Sequence, residues 1–294
     1  MQASVDQLSH ERTRLIVQGR GFDAPITDDM DPLWAPSQAH GFVEAGSESV
    51  GVRGRKTFDN GLMLMGGVAW GDQEYHDVRA DNGVTGTLAV RYAPAISDSL
   101  RPFVEIGGLI GHTEQISFSR DYANGIGTAN GRGAAGANSS AVYGRAGLIW
   151  EASKTDQLGG FFEYGHQSQS IGGYVEPLSQ HNPFEAHVGG GGDYMDVGKL
   201  SARYTHTAAQ GWEYGAGLTA ARAFKDVQVL PVAIPGFGFV PANRFGQLTW
   251  LEYGAHIGYS FTPRSTLSVF VTGLAGLDGV GGSGHAGVDY RMTF

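Results

Sequence analysis

His166 and Ser168 stand two residues apart in Gly165-His166-Gln167-Ser168-Gln169-Ser170. On a strand that spacing puts both on one face, where an imidazole beside a hydroxyl could activate the oxygen as a nucleophile. By parity with Phe162 and Tyr164 the shared face is the apolar one. The competing reading, a polar strand end running into the connection at Ile171, outweighs it because short motif matches have a high false-positive rate. His10, His40, His76, His112, His181, His187, His206, His256 and His285 are scattered without an i, i+4 helical pair, and no spacing proposes a metal site. Gly189 to Gly192 lacks the strand-to-helix setting of a phosphate cradle. Chemistry is therefore expected nowhere: no catalytic residue, no cofactor and no metal.

The elements that carry these residues are more informative. Glycine supplies 47 of 294 residues, about twice the average usage, and charged residues make up only 17%. That much glycine disfavours helices and suits tight turns and close strand contacts. With 41% apolar residues the chain is too hydrophobic for disorder. The longest apolar run, about Leu62 to Trp70, falls short of the ~20 residues of a spanning helix. No cysteine is present, which excludes disulfide scaffolds and thiolate metal sites. A net charge of -9 without a basic run argues against nucleic acid.

From Gly41 onward, strand-like segments are separated by short and long connections in alternation. The short ones are 57–60, 94–99, 153–156, 207–210 and 262–265; the long ones are 78–82, 119–139, 171–193, 226–244 and 280–284. Antiparallel strands crossing between two boundaries produce this pattern when one boundary demands tight turns. Eleven strands are predicted at about 41–56, 61–77, 83–93, 100–118, 140–152, 157–170, 194–206, 211–225, 245–261, 266–279 and 285–294. Single-chain bacterial barrels have an even number, so a twelfth is expected, and about 12–22 is the free candidate. Alternation then assigns the faces. Val142, Ala146, Leu148 and Trp150 oppose Tyr143, Arg145 and Glu151, and Trp212, Tyr214 and Leu218 oppose Glu213 and Thr219. Arg53, Arg91, Glu105, Arg145, Glu163, Arg203, Glu213, Glu252, Asp289 and Arg291 all fall opposite the apolar rows, which predicts a lumen lined with both signs. A soluble sandwich would use the same alternation but not such long strands or aromatics near strand ends.

The terminal His285-Ala-Gly287-Val-Asp-Tyr290-Arg-Met292-Thr-Phe294 alternates to the last residue. It is similar to the polar-x-Gly-x-x-aromatic-x-hydrophobic-x-Phe signal read by the barrel assembly machinery. With twelve strands in under 300 residues and the hairpin Val50 to Trp70, the chain resembles the C-terminal translocator domain of autotransporters, the type V secretion proteins. The resemblance implies an all-β fold, a 12-stranded antiparallel transmembrane barrel of the bacterial outer membrane with a short N-terminal helical segment in its lumen. Ser4-Val-Asp-Gln7 has capping-box spacing for such a helix. Residues 1–12 would be the lumen helix or linker remnant and 13–294 the barrel. The implied partners are outer-membrane lipid, the barrel assembly machinery and the chain's own N-terminal passenger, with the barrel a monomer. Gly287, Tyr290, Met292 and Phe294 would carry the assembly signal.

The start lacks a basic and an apolar signal region, so the chain is expected to begin downstream of the gene product's start. The alternatives are a porin or channel and a lipid-modifying hydrolase. For the latter, His166-x-Ser168 is similar to the motif of outer-membrane phospholipase A and lipid A deacylase, which continues with Asn where Gln169 stands. On the assigned faces Tyr290→Lys is expected to impair insertion and Arg291→Ala to be mild.

Overall fold

The computed structural model describes residues 33–35, 37–45, 49–75, 78–123, 128–224, 227–228, 232–234, 238–240, 244–245, 248–277 and 282–294. The sequence-predicted helix at Ser4 and strand at 12–22 lie outside these residues. The strands are β1 (Gln38–Ala45), β2 (Ser49–Thr57), β3 (Leu62–Tyr75), β4 (Val78–Tyr92), β5 (Leu100–Ala123) and β6 (Thr128–Glu151). Then follow β7 (Asp156–Ile171), β8 (Tyr174–Glu176), β9 (Ala186–Val188), β10 (Gly191–Thr207), β11 (Trp212–Ala223) and β12 (Val227–Gln228). The last are β13 (Val232–Ile234), β14 (Gly238–Val240), β15 (Arg244–Phe245), β16 (Thr249–Thr262), β17 (Ser265–Gly276) and β18 (Gly282–Thr293).

Twelve of these close an antiparallel ring in the order β1-β18-β17-β16-β11-β10-β7-β6-β5-β4-β3-β2. First and last strands meet from Gln38 opposite Thr293 to Ala45 opposite Ala286. The ring thus closes without residues 12–22. The stretch 41–56, expected to be one strand, is split between β1 and β2. A signal for the split exists in the sequence. Val43 faces outward on an odd number and Val50 and Val52 on even ones, a change of phase that a single strand cannot make.

The register fixes the shape of the ring. A row of neighbours starts at Asp156 on β7 and passes through His206, Tyr214, Ile257, Val269, Val288, Val43, Val50, Trp70, Val84, His112 and Asn138. It returns to β7 at Ser170, 14 residues beyond its start. With strands about 4.8 Å apart and about 3.3 Å per residue, this stagger tilts them by about 40° and sets a ring about 24 Å across between backbones.

Outward positions are apolar and exposed, with Ile106 at 75% and Leu88 at 68%, whereas the inward Arg91 and Glu105 are 1% and 2% exposed. This is the reverse of a water-soluble protein, and lipid is the solvent that satisfies it. Trp150, Trp212, Tyr259, Phe261 and Tyr290 gather on the outer surface toward the short turns, where an interfacial girdle belongs.

At the opposite end β5 and β6 run 24 residues each, well past the 9–11 that cross a bilayer. The segment 119–139, expected as a connection, is therefore largely strand. Outside the membrane neither face needs to be apolar, so Gly, Ala and Asn in backbone pairing leave no alternation to read. β8, β9, β13 and β14, drawn from two separate connections, form a small sheet. Tyr174 of β8 stacks on Phe118 of β5 at 5.2 Å, within a cluster that includes Ile116, Ile171 and Val188.

Two features of the last strand have energetic consequences. A Cβ on Gly287 would collide with the Phe270 ring and the Val43 carbonyl, so only glycine lets the seam and that ring close together. Arg291 reaches from β18 past β17 and β16 to Glu213 on β11, with two hydrogen bonds of 2.9 and 2.7 Å, both residues being buried. The expected order of the two substitutions is thereby reversed. Tyr290 sits at the short-turn rim beside Phe261, where Lys costs about 0–1 kcal/mol. Arg291→Ala takes both guanidinium bonds from a buried carboxylate that keeps only His256, 3.4 Å away, and should cost about 3 kcal/mol. Val288→Lys, deeper in the band, should cost about 2–4 kcal/mol. Urea unfolding in lipid vesicles should rank Arg291→Ala and Val288→Lys well below Tyr290→Lys in stability, and Gly287→Val should fail to give the folded, heat-modifiable form.

Candidate functional site

The lumen is the concave surface of this fold, and its wall is organised by register. Arg91, Glu105, Arg145, Glu163 and Lys199 lie opposite one another on five consecutive strands of the ring, alternating in sign. Neighbouring guanidinium and carboxylate groups then bond directly. Arg91 Nε donates to Glu105 Oε2 at 2.6 Å, Arg145 Nη1 to Glu105 Oε1 at 3.2 Å, and Arg145 Nε to Glu163 Oε2 at 2.5 Å. Aromatic rings cover the cations, Phe103 under Arg91 at 4.9 Å and Phe161 under Arg145 and Arg203 at 5.0 and 5.1 Å.

The remaining charges form separate ties. Arg53 Nη2 lies 3.5 Å from Asp289, and Lys199 Nζ lies 2.7 Å from Glu252, which also accepts from Trp250 Nε1. Glu213 takes Arg291 and stands 3.4 Å from His256. Buried pairs like these bring little net stability, but each resists being broken, so they stiffen the wall.

Sequence reasoning missed the segment crossing the lumen floor. Leu33 is 2% exposed among Ala93, Phe103, Ile149 and Phe161, and its side chain occupies the space that a Cβ on Gly159 would take. Its carbonyl accepts from Arg91 Nη1 at 2.5 Å. The Trp34 backbone forms a two-way pair with the Gln157 amide, N to Oε1 at 3.2 Å and Nε2 to O at 3.1 Å. The Arg101 guanidinium lies 4.2 Å from the centre of the Trp34 ring. Further on, Thr57 Oγ1 donates to the Ala35 carbonyl and Phe294 N to the Ser37 carbonyl. Residues 33–35 thus hold to the β4–β7 wall and to Thr57, and Ser37 stands at the seam beside β1, all near the short turns. The sequence did carry a signal: Leu33-Trp34-Ala35 sits between Pro32 and Pro36, an extended apolar stretch outside any strand alternation.

The terminal residues take distinct roles at the seam. The Tyr290 hydroxyl donates to Ser265 Oγ at 3.2 Å, Met292 points outward, and the Phe294 ring lies 5.9 Å from Lys56 Nζ. His166 and Ser168 are on the outer face, but His166 Nδ1 bonds Asp196 Oδ1 at 2.7 Å and no hydrogen bond joins His166 to Ser168 among the described residues. The base-to-nucleophile contact that hydrolysis would need is missing. No group of three or more metal-ligating side chains occurs among the described residues.

If the floor segment is a latch, Gln157→Ala removes two hydrogen bonds worth about 0.5–1.5 kcal/mol each and should make its release ~10-fold more populated. Single-channel recording in planar bilayers should show more frequent opening, and Gly159→Leu, which evicts the Leu33 side chain, should open the floor further.

No protein-family model and no curated protein matches the chain. Among solved structures it is similar to the translocator domain of autotransporter NalP from Neisseria meningitidis, with TM-score 0.63 and 12% identity over 97% of this chain and 97% of that one. It is also similar to the P. putida toluene transporter TodX, with TM-score 0.50 and 10% identity over 92% of this chain and 94% of that one. At such identities the likeness establishes the fold: a closed 12-stranded antiparallel barrel of the outer-membrane type.

Proposed function

We propose that this barrel is the translocator domain of an autotransporter, a pore that exports an N-terminal passenger and then anchors it. The observation that carries this reading is the floor segment: the chain reaches β1 from inside the ring, held by Arg91, Gln157 and Arg101. On this reading the polypeptide upstream of Leu33 enters the lumen. A diffusion porin has no need for its own N-terminus there.

The dimensions support it. A helix with side chains is about 10–12 Å across, so a side-chain-lined ring about 24 Å across takes one segment at a time. On this reading residues 1–12 form the lumen segment, and the passenger follows on the far side. The locked charges of Arg91, Glu105, Arg145 and Glu163 present a polar wall of both signs, past which varied sequence can slide without a deep binding well. The barrel lies in the outer membrane with an apolar band on its outer face, and on this reading it works as a monomer. Gly287, Tyr290, Met292 and Phe294 present the signal for the barrel assembly machinery.

The test uses the purified chain in planar bilayers with and without residues 1–32. A plugged translocator conducts poorly until they are removed, whereas large and equal conductance in both forms identifies a porin. In cells, a reporter fused upstream of residue 1 should become accessible to added protease on intact bacteria, and its retention in the periplasm would reject export.

A further inference from the structure

The outer surface changes character sharply over a few residue rows on one sector of the barrel. Across β5, β6, β7 and β10 the row Val104, Ala146, Phe162, Leu200 is wholly apolar. One row higher stand Ile106, Gly144, Tyr164 and Gly198, with the Phe224 ring packed over Gly198. The next row runs Gly108, Val142, His166, Asp196, followed by Ile110, Ser140, Ser168, Tyr194 and then by His112, Asn138 and Ser170. The polar residues thus begin on β7 and β10, while Val142 and Ile110 keep β6 and β5 apolar beside them. On β16 and β17 the same outer face stays apolar up to Leu251 and Ala275. The polar patch is therefore centred on β7 and β10, with the exposed Arg222 of β11 opposite Gly198 at its edge, and it starts above the apolar row of Phe162 and Leu200.

Its geometry is that of a built site. Asp196, with a side chain 10% exposed, binds Nδ1 of His166, whose ring is 48% exposed. His112 Nδ1 is bonded in the same way to Asn138 Oδ1 at 2.8 Å. In both cases Nδ1 is engaged by an oxygen, which sets the ring so that Nε2 faces away from the wall. The Tyr194 ring lies 6.0 Å from the His166 ring, and Tyr164 stacks on Phe224 at 6.5 Å just below. A flat aromatic beside fixed carboxylate, imidazole and hydroxyl groups matches a ligand with an apolar ring face and a rim of hydroxyls.

We propose that the outer face of β6, β7 and β10 binds the saccharide headgroup of an outer-leaflet glycolipid, with its acyl chains on the apolar rows beneath. The sugar face rests on Tyr194, its hydroxyls meet His166 Nε2 and Ser168, Asp196 holds the His166 ring in place, and the chains lie along Phe162 and Leu200. Continuity with the lipid-facing band selects a membrane glycolipid over a soluble sugar. This site is outside the lumen and independent of the translocator reading.

The experiment reconstitutes the whole chain in phosphatidylcholine vesicles doped with lipid A, extracts it in mild detergent, and counts retained lipid by native mass spectrometry. The parent should retain lipid A, and Asp196→Asn and His166→Ala should each retain about tenfold less, the effect of about 1.4 kcal/mol. Folding is checked by heat-modifiable migration. If His166→Ala does not fold, Asp196→Asn and Ser168→Ala decide the matter. Equal retention by these variants and the parent overturns the proposal, as does equal retention of phosphatidylglycerol, which lacks the sugar. Binding of the soluble glucosamine disaccharide as tightly as lipid A would overturn the lipid assignment. Bilayer conductance should be unchanged in all three variants.

Discussion

In a hydrocarbon solvent a backbone N-H or C=O without a partner costs several kcal/mol, and the ring from β1 back to β18 is the arrangement that leaves no strand edge to lipid. Every other feature is arranged around that closure. Glycine at 287 lets the seam strand sit close to Val43 with the Phe270 ring beside it, and Phe294 donates its last backbone N-H to Ser37, just before the first strand begins. The stagger of 14 residues follows from the same pairing and sets how wide the enclosed space can be.

Closure also inverts the usual division of polar and apolar surface. With lipid outside, charged residues can only go inward, and once inside at 1–8% exposure they must find partners. Adjacent strands supply those partners in register, so Arg91, Glu105, Arg145 and Glu163 neutralise one another along the wall. Arg291 and Glu213 do the same across intervening strands. The floor segment uses this stiff wall as its mount: Arg91 serves both Glu105 and the Leu33 carbonyl. Wall rigidity and attachment of the incoming chain are thus one network.

Outside the membrane the constraint lapses. β5 and β6 continue as a ribbon, and two connections fold into a sheet that shares an apolar cluster with it, Tyr174 and Val188 packing against Ile116, Phe118 and Ile171. The boundary between the two regimes is drawn by side chains, at the step from Phe162 and Leu200 to His166 and Asp196.

The sequence by itself determined the fold class and the two faces of most strands. Period-two alternation is a local property, and it survives wherever one side meets lipid and the other water, as from Val142 to Trp150 and from Trp212 to Leu218. It also showed the tight turns, whose residue types are set by local backbone geometry. Only the tertiary structure decided how those strands are used. That β1 begins at Gln38 depends on a phase change whose meaning appears once Ala45 pairs with Ala286, over 200 residues away. The partnership of Arg291 with Glu213, the seating of Leu33 against Gly159 and the pairing of His166 with Asp196 join residues 30 to 126 positions apart. Such contacts are set by stagger and curvature, which are properties of the whole ring, so no window along the chain could show them.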